Sequence, residues 1–459
     1  MPVQPELVEK DAVVVGAGTA GSGAARALAG AGLSVALLDS RTMDKTGARW
    51  CNGVLRWQFE RAGVPFPREP ELRAAGDPVH MTGPDGTTLR FPDNPIIEVD
   101  MRLLTERLQR DARASGAVLF GKCRNLAPVI EDGRLREISV NASAEDGRSG
   151  GFRFRAKLFV DASGRSGVLR RHIPALRDSC PDVEAKDLCS ASHFVYELKD
   201  PEGMRRFLDR HGAQPGEAVN WMGLDGGFSA LMIRVEKNLE EVAVLTGSMA
   251  EGPWAKGPEI MARVRREHPW IGEPVFGGGA LIPLRRTCDR LAAGGVALVG
   301  DAACQVFPAH GSGIGYGLIA GRMLADSVTQ AKDPGGDEQL WDYQCRFQRE
   351  FGAVIAAYEA MRRMSSDIGT EGVGEMFASG IFDETMAWPG FVQRLETPPL
   401  VSLPAKAAAF ARHPALIRLV VPRLLQMVAA PAVYSQYPDY RNRHLLPVWR
   451  RISGAVLRE

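Results

Sequence analysis

The first forty residues alternate short apolar runs with a segment of small residues. Residues 11–16, DAVVVG, are apolar and β-branched and end in glycine, which is typical of a buried parallel strand. Residues 22–31 are rich in alanine at helical spacing, and a second apolar run, residues 33–38, ends at Asp39. The pattern therefore predicts a strand, a helix and a second parallel strand, the βαβ unit of a doubly wound α/β fold.

Three glycines occupy the turn between the first strand and the helix, in the spacing Gly-x-Gly-x-x-Gly. Gly16 permits a tight turn, Gly18 lets a backbone approach a pyrophosphate, and Gly21 allows the helix to pack closely on the strand. The helix N-terminus offers unpaired N–H groups to phosphates. Asp39 is placed to accept hydrogen bonds from an adenosine ribose. The unit predicts a dinucleotide site, although it does not separate FAD from NAD.

Two distant segments again place a short apolar strand before a glycine turn and a helix start. They are residues 157–170, KLFVDASGRSGVLR, and residues 295–317, GVALVGDAACQVFPAHGSGIGYG. Asp301 ends its strand, where a carboxylate can accept hydrogen bonds from ribityl hydroxyls. Pro308 and the glycines behind it let backbone N–H groups face a flat ring, and the next helix adds its positive end. A simple NAD dehydrogenase does not need this last element, so the cofactor predicted is FAD.

The ordered trio GAGTAG, DASGRSGVLR and GDAACQVFPAHGSGIG resembles the FAD-binding set of flavoproteins with the p-hydroxybenzoate hydroxylase fold. That group includes aromatic monooxygenases, flavin halogenases and geranylgeranyl reductases. The resemblance spans residues 11 to 330. It implies an α/β fold with a Rossmann-like FAD-binding domain of the p-hydroxybenzoate hydroxylase or glutathione reductase type, an antiparallel β-sheet substrate domain and a helical C-terminal region. The residues it places around FAD are Asp161, Gly164, Asp301, Pro308, Arg102 and the backbone of Gly311, Ser312 and Gly313. For Arg102 the alternative is an ordinary solvated arginine at a helix start.

Residues 49–55, RWCNGVL, are similar to the Cys-Gly-Gly stretch that covers the isoalloxazine in geranylgeranyl reductases. The resemblance implies that Cys51 is a proton donor or positioning group, with Trp50 beside the substrate. The alternative is a buried cysteine that packs as a small apolar side chain. His310 either stabilises an anionic reduced ring and relays a proton, or bonds a backbone carbonyl. Cys51 and His310 are the catalytic candidates.

The substrate region departs from prenyl reductases. Those enzymes line their isoprenoid channel with several aromatic residues, whereas Phe228 is the only aromatic residue in residues 225–233. Phe228 is therefore a candidate substrate contact in a cavity of different or wider shape.

The function implied by the resemblance is hydride transfer through flavin N5 to or from a C=C bond. The substrate is lipophilic, an isoprenoid or a secondary metabolite, and the reductant is transiently bound NAD(P)H or an external electron carrier. The alternative enzyme is an FAD-dependent monooxygenase that hydroxylates an aromatic or polyketide-like substrate. A third hypothesis, outside catalysis, is a flavin-bound redox sensor or a lipid-carrier binding protein.

Composition and charge narrow the partners. With 56 Lys and Arg against 55 Asp and Glu, the formal charge is +1, so the chain has no global attraction for nucleic acid. The seven cysteines are odd in number and lack a C-x-x-C pair, which argues against a disulfide framework or a metal site. The first residues lack an apolar core of signal-peptide length. These observations predict a cytoplasmic protein.

Three units are expected along the chain. The FAD-binding domain comprises residues 1–75, 99–184 and 284–340, and the sheet domain comprises residues 76–98 and 185–283. Residues 341–459 form the helical region. Its residues 400–449 alternate apolar clusters with arginines and prolines, which is typical either of a helical cap or of peripheral membrane contact. The sequence leaves the oligomeric state open.

Overall fold

A computed structural model describes residues 4–396 and 403–457; residues 1–3, 397–402 and 458–459, including the start of the apolar and basic pattern at residue 400, lie outside it. The strands are β1 (Glu6–Val15), β2 (Val35–Leu38), β3 (Cys51–Leu55), β4 (Leu72–Ala74), β5 (Val79–Thr82), β6 (Thr88–Phe91), β7 (Ile96–Asp100), β8 (Val118–Glu131), β9 (Arg134–Ala144), β10 (Ser149–Asp161), β11 (Leu188–Leu198), β12 (Ala218–Met222), β13 (Ser229–Val235), β14 (Glu241–Met249), β15 (Ile271–Pro283), β16 (Ala292–Ala293) and β17 (Val296–Leu298).

Thirteen α-helices lie within the described residues. They are α1 (Thr19–Gly30), α2 (Arg56–Ala62), α3 (Met101–Ala114), α4 (Pro174–Arg177), α5 (Pro201–His211), α6 (Gly257–Glu267), α7 (Ile314–Val328), α8 (Asp337–Phe347), α9 (Ala353–Ala378), α10 (Glu384–Val392), α11 (Leu403–Ala411), α12 (Pro414–Ser435) and α13 (Leu446–Leu457).

The first sheet carries the predicted βαβ unit. Its parallel strands run in the order β8-β2-β1-β10-β17, and β9 pairs antiparallel with both β8 and β10. Helices α1 and α7 pack on each other beside this sheet. The ends of β1, β10 and β17, which carry the three glycine turns, are therefore neighbours at one edge, where open α/β sheets bind ligands. The Rossmann-like α/β fold expected from the sequence is confirmed.

A second sheet faces this edge. It has the order β15-β11-β14-β13-β12-β5-β6 and is antiparallel except where β12 meets β5. The hairpin of β5 and β6 precedes the other strands of this sheet by almost a hundred residues, so the chain enters the second sheet twice. Strands β3, β7 and β4 form a small third sheet. The boundaries of the three expected units stay a prediction.

One cysteine pair contradicts the sequence expectation. Cys180 and Cys288, which are 108 positions apart in the chain, are joined as a disulfide, with their Cα atoms 4.8 Å apart. The other five cysteines are free. The expectation of no disulfide was wrong because it used only spacing along the chain, whereas folding brings β16 and the segment after α4 together. The cytoplasmic location stays a prediction.

The C-terminal helices pack on the helices before them: α12 lies along α9, and the Trp341 indole of α8 donates a hydrogen bond to the Pro438 carbonyl just after α12. Trp449 donates a hydrogen bond to the Val433 carbonyl and packs edge-on against the Tyr434 ring. Among the described helices, α12 alone is long and apolar enough to cross a membrane by length and composition, and 28% of that apolar stretch is buried in the protein.

Candidate active site

The first glycine turn depends on two positions where a side chain cannot fit. Gly16 has a φ of +106°, and a Cβ there would lie 2.2 Å from the Ala162 carbonyl oxygen. A Cβ on Gly21 would lie 1.8 Å from the Gly16 carbonyl oxygen. Glycine at both positions lets α1 start directly against the end of β1, next to the turn that follows β10.

The start of α1 is open to an anion. Gly18 is the N-cap, and the helix has no side-chain cap and no acidic residue in its first turn. A Cβ on Gly18 would meet only the Cα of Gly47, at 3.5 Å. Asp39, at the end of β2, accepts hydrogen bonds from the amides of Ala17 at 2.7 Å and Arg41 at 2.8 Å. Each carboxylate oxygen keeps a second lone pair, so Asp39 can still accept a hydrogen bond from a ribose hydroxyl. This ribose contact stays a prediction.

Asp161 and Asp301 differ in the hydrogen bonds that their carboxylates accept. Asp161 has no accessible surface, and its carboxylate accepts hydrogen bonds from the amides of Leu169 and Arg170 and from the amide and hydroxyl of Ser163. The Asp161 side chain therefore holds the turn together, and its contact with FAD stays a prediction. Gly164 begins a short 3₁₀ turn with a φ of +66°, and a Cβ there would meet nothing within 4 Å.

Asp301 is only partly buried, so part of its surface is accessible near the edge of the first sheet where the three glycine turns lie. Within residues 4–396 and 403–457, no group donates a hydrogen bond to its carboxylate. Burial raises the pKa of Asp301 to about 6. A carboxylate held in this way at a strand end is suited to accept hydrogen bonds from hydroxyl groups of a ligand.

The loop before α7 closes on itself and on β3. Pro308 is buried, and Gly311, with a φ of +70°, donates its amide proton to the Phe307 carbonyl. The Ser312 hydroxyl donates a hydrogen bond to the Gly53 carbonyl, at 2.7 Å. A Cβ on Gly313 would lie 2.9 Å from Val306. The Ser312 side chain thus ties the loop to the strand that begins at Cys51, and any contact of Ser312 with FAD falls to its backbone.

Helix α7 begins from this loop without a side-chain cap or an acidic residue in its first turn, and the Asp301 carboxylate lies beside its N-terminus, with Oδ1 3.3 Å from where a Cβ on Gly313 would lie. His310 lies at the same loop, with its ring centre 4.8 Å from that of Phe307. Desolvation lowers the pKa of His310 to about 4, against the opposing effect of a hydrogen bond to the backbone of Gly390. The lowered pKa keeps the imidazole neutral at pH 7, and the residue is exposed.

Both substrate candidates lie where the second sheet approaches this loop. The Trp50 ring packs on β15, 3.0 Å from where a Cβ on Gly278 would lie. Phe228 belongs to an apolar cluster with Val306 and Leu284. This cluster continues to Gly311 through Leu284, whose side chain approaches the Gly311 position. The loop before α7 therefore has an apolar wall on its substrate side.

Cys51 lies in a different apolar cluster. The residue has no accessible surface, packs with Val195, Met232 and Ala243, and has its pKa raised strongly, first by burial and then by Glu98. Its position favours the alternative of a packed cysteine, because a ligand in the cleft has no surface of Cys51 to contact. The catalytic role of Cys51 stays a prediction.

Next to Cys51 is a buried ionic network that the sequence analysis missed. Arg234 donates hydrogen bonds to Glu98 at 2.5 Å and to Glu236 at 2.8 Å, and the His193 Nδ1 donates to the Cys51 carbonyl at 2.7 Å. Burial alone would raise the pKa of Glu98, but Arg234 and His193 outweigh it and lower the pKa to about 2. A charged residue inside an apolar strand, as in IIEVD and LMIRV, was the available sequence signal.

Arg102 is paired within its own helix start. Its guanidinium donates to the Asp100 carboxylate at 2.6 and 3.0 Å, and its Cζ lies 3.5 Å from the centre of the Phe276 ring. Arg102 lies at a helix start, as the alternative had it, but it is paired and only partly exposed rather than solvated, and its contact with FAD stays a prediction.

FAD fits the arrangement at one sheet edge. The uncapped start of α1 suits the pyrophosphate, the unpartnered carboxylate of Asp301 suits ribityl hydroxyls, and the uncapped start of α7 suits the electron-rich edge of the flavin ring. Within the described residues, no group of His, Cys, Asp or Glu has the arrangement of a metal site.

Comparison with known proteins gives the same class. A family profile described as "Glucose inhibited division protein A" matches residues 11–63, the segment of the first glycine turn. Together with the fold and the site, this defines the chain as an FAD-dependent oxidoreductase.

The more particular resemblance is to geranylgeranyl reductases, and it confirms the sequence prediction. The chain is 24% identical over 383 residues to the digeranylgeranylglycerophospholipid reductase of Sulfolobus acidocaldarius, covering 79% of each chain. The geranylgeranyl bacteriochlorophyll reductase-like protein of Thermoplasma acidophilum superposes with a TM-score of 0.69 at 16% identity, over 91% of this chain and all of that one. PqsL of Pseudomonas aeruginosa, described as a probable FAD-dependent monooxygenase, gives 0.55 at 17% identity, over 81% and 100%. At these identities the two structures show the fold alone.

Proposed function

We propose that this protein is a reductase that saturates C=C bonds in the isoprenoid chains of a lipid. The observation that carries the proposal is the extent of the similarity to a digeranylgeranylglycerophospholipid reductase. It covers 79% of both chains, which is far more than the glycine turn of residues 11–63. A nucleotide-binding turn is shared by enzymes of unrelated chemistry, whereas this similarity extends through the sheet that faces the cleft.

The chain's own residues bind and orient the cofactor and the substrate, and they exclude water. Bound FAD supplies the hydride chemistry. Asp301 accepts hydrogen bonds from the cofactor's hydroxyls, and the start of α7 stabilises negative charge at the ring. Phe228, packed with Val306 and Leu284, and Trp50, packed on β15, are the apolar side chains that suit an isoprenoid and would keep water away from the reacting carbon atoms.

The two catalytic candidates, Cys51 and His310, differ in their exposure. His310 is exposed and neutral at pH 7, so its role is a hydrogen bond rather than a charge. The buried Cys51 thiol stays protonated. It acts on the substrate only if the apolar side chains packed around it move. Otherwise it is a positioning residue whose carbonyl accepts a hydrogen bond from His193.

The test uses the purified, FAD-loaded protein without oxygen. The flavin is reduced with dithionite, or with NADPH to learn whether a nicotinamide serves as donor, and is then mixed with a digeranylgeranyl glycerophospholipid in detergent. Reoxidation of the flavin with the gain of two hydrogens per double bond supports the reductase. A product that gains one oxygen atom only after air is admitted establishes the alternative, a monooxygenase.

Cys51→Ala gives the internal comparison in this assay. If the thiol acts on the substrate, reoxidation slows while FAD content and flavin reduction stay as in the unsubstituted protein. Unchanged reoxidation removes any chemical role for Cys51.

The partner proposal is coarser. A lipophilic substrate follows from the relatives, and we propose that residues 341–459 also make peripheral membrane contact. The surface that carries this contact is argued next.

A further inference from the structure

The outward surface of the two last helices is unusually apolar. On α12, Val421, Leu425 and Val428 recur at intervals of four and three residues, and the exposed fractions of Leu425 and Val428 are 64% and 78%. On α13, Val448 and Ile452 are each 51% exposed. We call these five side chains the apolar face. Single exposed apolar residues are ordinary, but repeated ones on two adjoining helices mark an interaction surface.

The apolar face points away from the protein because the opposite sides of both helices are buried. Gln426, Ala430 and Tyr434 of α12 face inward, and Trp449 of α13 packs against Tyr434 at a ring distance of 5.4 Å. Arg423 of α12 is also bonded to Asp367 of α9, with Nε and Oδ2 2.9 Å apart. A helix tied to the protein along one side lies on a membrane rather than across it.

The charge around the apolar face is strongly basic. Residues 403–457 contain eight Lys and Arg but one acidic residue, Asp439, in a chain whose total charge is +1. Within the described part of the chain, Arg418, Arg441 and Arg451 are exposed and have no acidic partner. Arg418 lies on α12 three residues before Val421, Arg451 lies beside Ile452 on α13, and Arg441 precedes α13. Apolar side chains with a basic rim complement the anionic headgroups and hydrocarbon of a phospholipid surface.

We propose that the apolar face docks on the surface of an anionic phospholipid bilayer, with Arg418, Arg441 and Arg451 at the headgroups. This surface gives the location of the peripheral membrane contact proposed above, and it does not depend on the reductase activity, because FAD content and reduction of detergent-dispersed substrate report on the cofactor and substrate site separately. Docking would present the protein to a substrate that resides in the bilayer.

The test is flotation of the full-length, FAD-loaded protein with vesicles of phosphatidylcholine alone and of phosphatidylcholine with phosphatidylglycerol. We expect binding to the anionic vesicles that weakens with salt, because exposed charges are screened. The double variant Leu425→Asp, Val428→Asp should lower the partition coefficient roughly tenfold or more, since it replaces the most exposed apolar side chains by charges. The matched control is Leu239→Asp, which charges a side chain 46% exposed on the turn between β13 and β14 and should float as before.

Charge reversal provides a second, independent arm. Arg418→Glu with Arg441→Glu should reduce binding to anionic vesicles and remove its salt dependence, with FAD content unchanged. Absence of binding to either vesicle, or equal loss in the Leu239→Asp control, overturns the proposal. A concentration-dependent dimer that Leu425→Asp, Val428→Asp abolishes, without vesicle binding, overturns it in favour of a second copy of this chain.

Discussion

Asp161 ends β10, whereas Asp301 lies three residues beyond the end of the neighbouring parallel strand β17, in a short 3₁₀ turn, and the two carboxylates have opposite surroundings. The Asp161 carboxylate accepts four hydrogen bonds from the chain and has no accessible surface. The Asp301 carboxylate accepts none within the described residues and faces the cleft. Because buried polar groups are almost always hydrogen-bonded, a saturated carboxylate belongs to the framework and an unsaturated one marks a place for a ligand.

The difference arises in the turns after the two strands. After Asp161 the chain returns the amides of Leu169 and Arg170 to the carboxylate. After Asp301 the local donors go elsewhere: the Cys304 amide bonds the Asp301 backbone carbonyl, and the Gly300 amide is taken by the Gln305 side chain. The second turn thus supplies its own caps and leaves the Asp301 carboxylate without a donor from the described residues.

The largest effect is expected for Asp161→Ala. Four donors would lose their acceptor in a buried turn, so the free energy of unfolding should fall by about 3–5 kcal/mol. Denaturant unfolding of the FAD-free protein measures this. Ser163→Ala is the control, since it removes one hydroxyl of the same turn and should cost about 1 kcal/mol. If Asp161→Ala kept full stability and lost only FAD, the distinction between the two aspartates would fail.

Asp301→Ala should have the reverse profile. The fold should be retained, because this carboxylate accepts no hydrogen bond from the chain that the structure describes, while FAD affinity should fall about ten- to hundredfold with the loss of charge-assisted bonds. Fluorescence titration of the apoprotein with FAD measures the affinity, and thermal unfolding checks the fold. A variant that binds FAD as tightly as the parent would remove Asp301 from the cofactor site.

The glycine turns were predictable because their geometry is encoded locally. Gly16 and Gly21 have neighbours within a few residues or in the adjoining strand that leave no room for a side chain, and their spacing alone carries that information. The roles of the two aspartates were not predictable. Both sequences read as a strand ending in Asp, and only the path of the following turn decides where the donors go.

The contacts around Cys51 could not be predicted from the sequence either, because they join residues that are far apart along the chain. Its neighbours Glu98, His193 and Arg234 come from three different strands, so their meeting depends on the register of the sheets. The sequence signal was present, as a charge within each of two apolar runs, but it does not name the partner. The Cys180–Cys288 disulfide was missed for the same reason.

The smallest and most specific effect is the pH dependence of FAD binding. Burial raises the pKa of Asp301 to about 6 from 3.8. Hydroxyl donors of FAD favour the ionised carboxylate, so affinity should rise about tenfold between pH 5 and pH 7 and then level off. For the FAD-free protein the sign is opposite. A folded-state pKa above the unfolded value means that stability is greatest below pH 4 and declines as the pH rises through about 6, as far as this group is concerned.

Asp301→Asn is the control for the pH dependence of both FAD affinity and stability, because the amide keeps the shape of the carboxylate and cannot titrate. Calorimetric titration at several pH values should show proton release on FAD binding to the parent near pH 6 and none in the variant. An unchanged profile in Asp301→Asn would transfer the pH dependence to another group and remove the feature that distinguishes the open aspartate from the closed one.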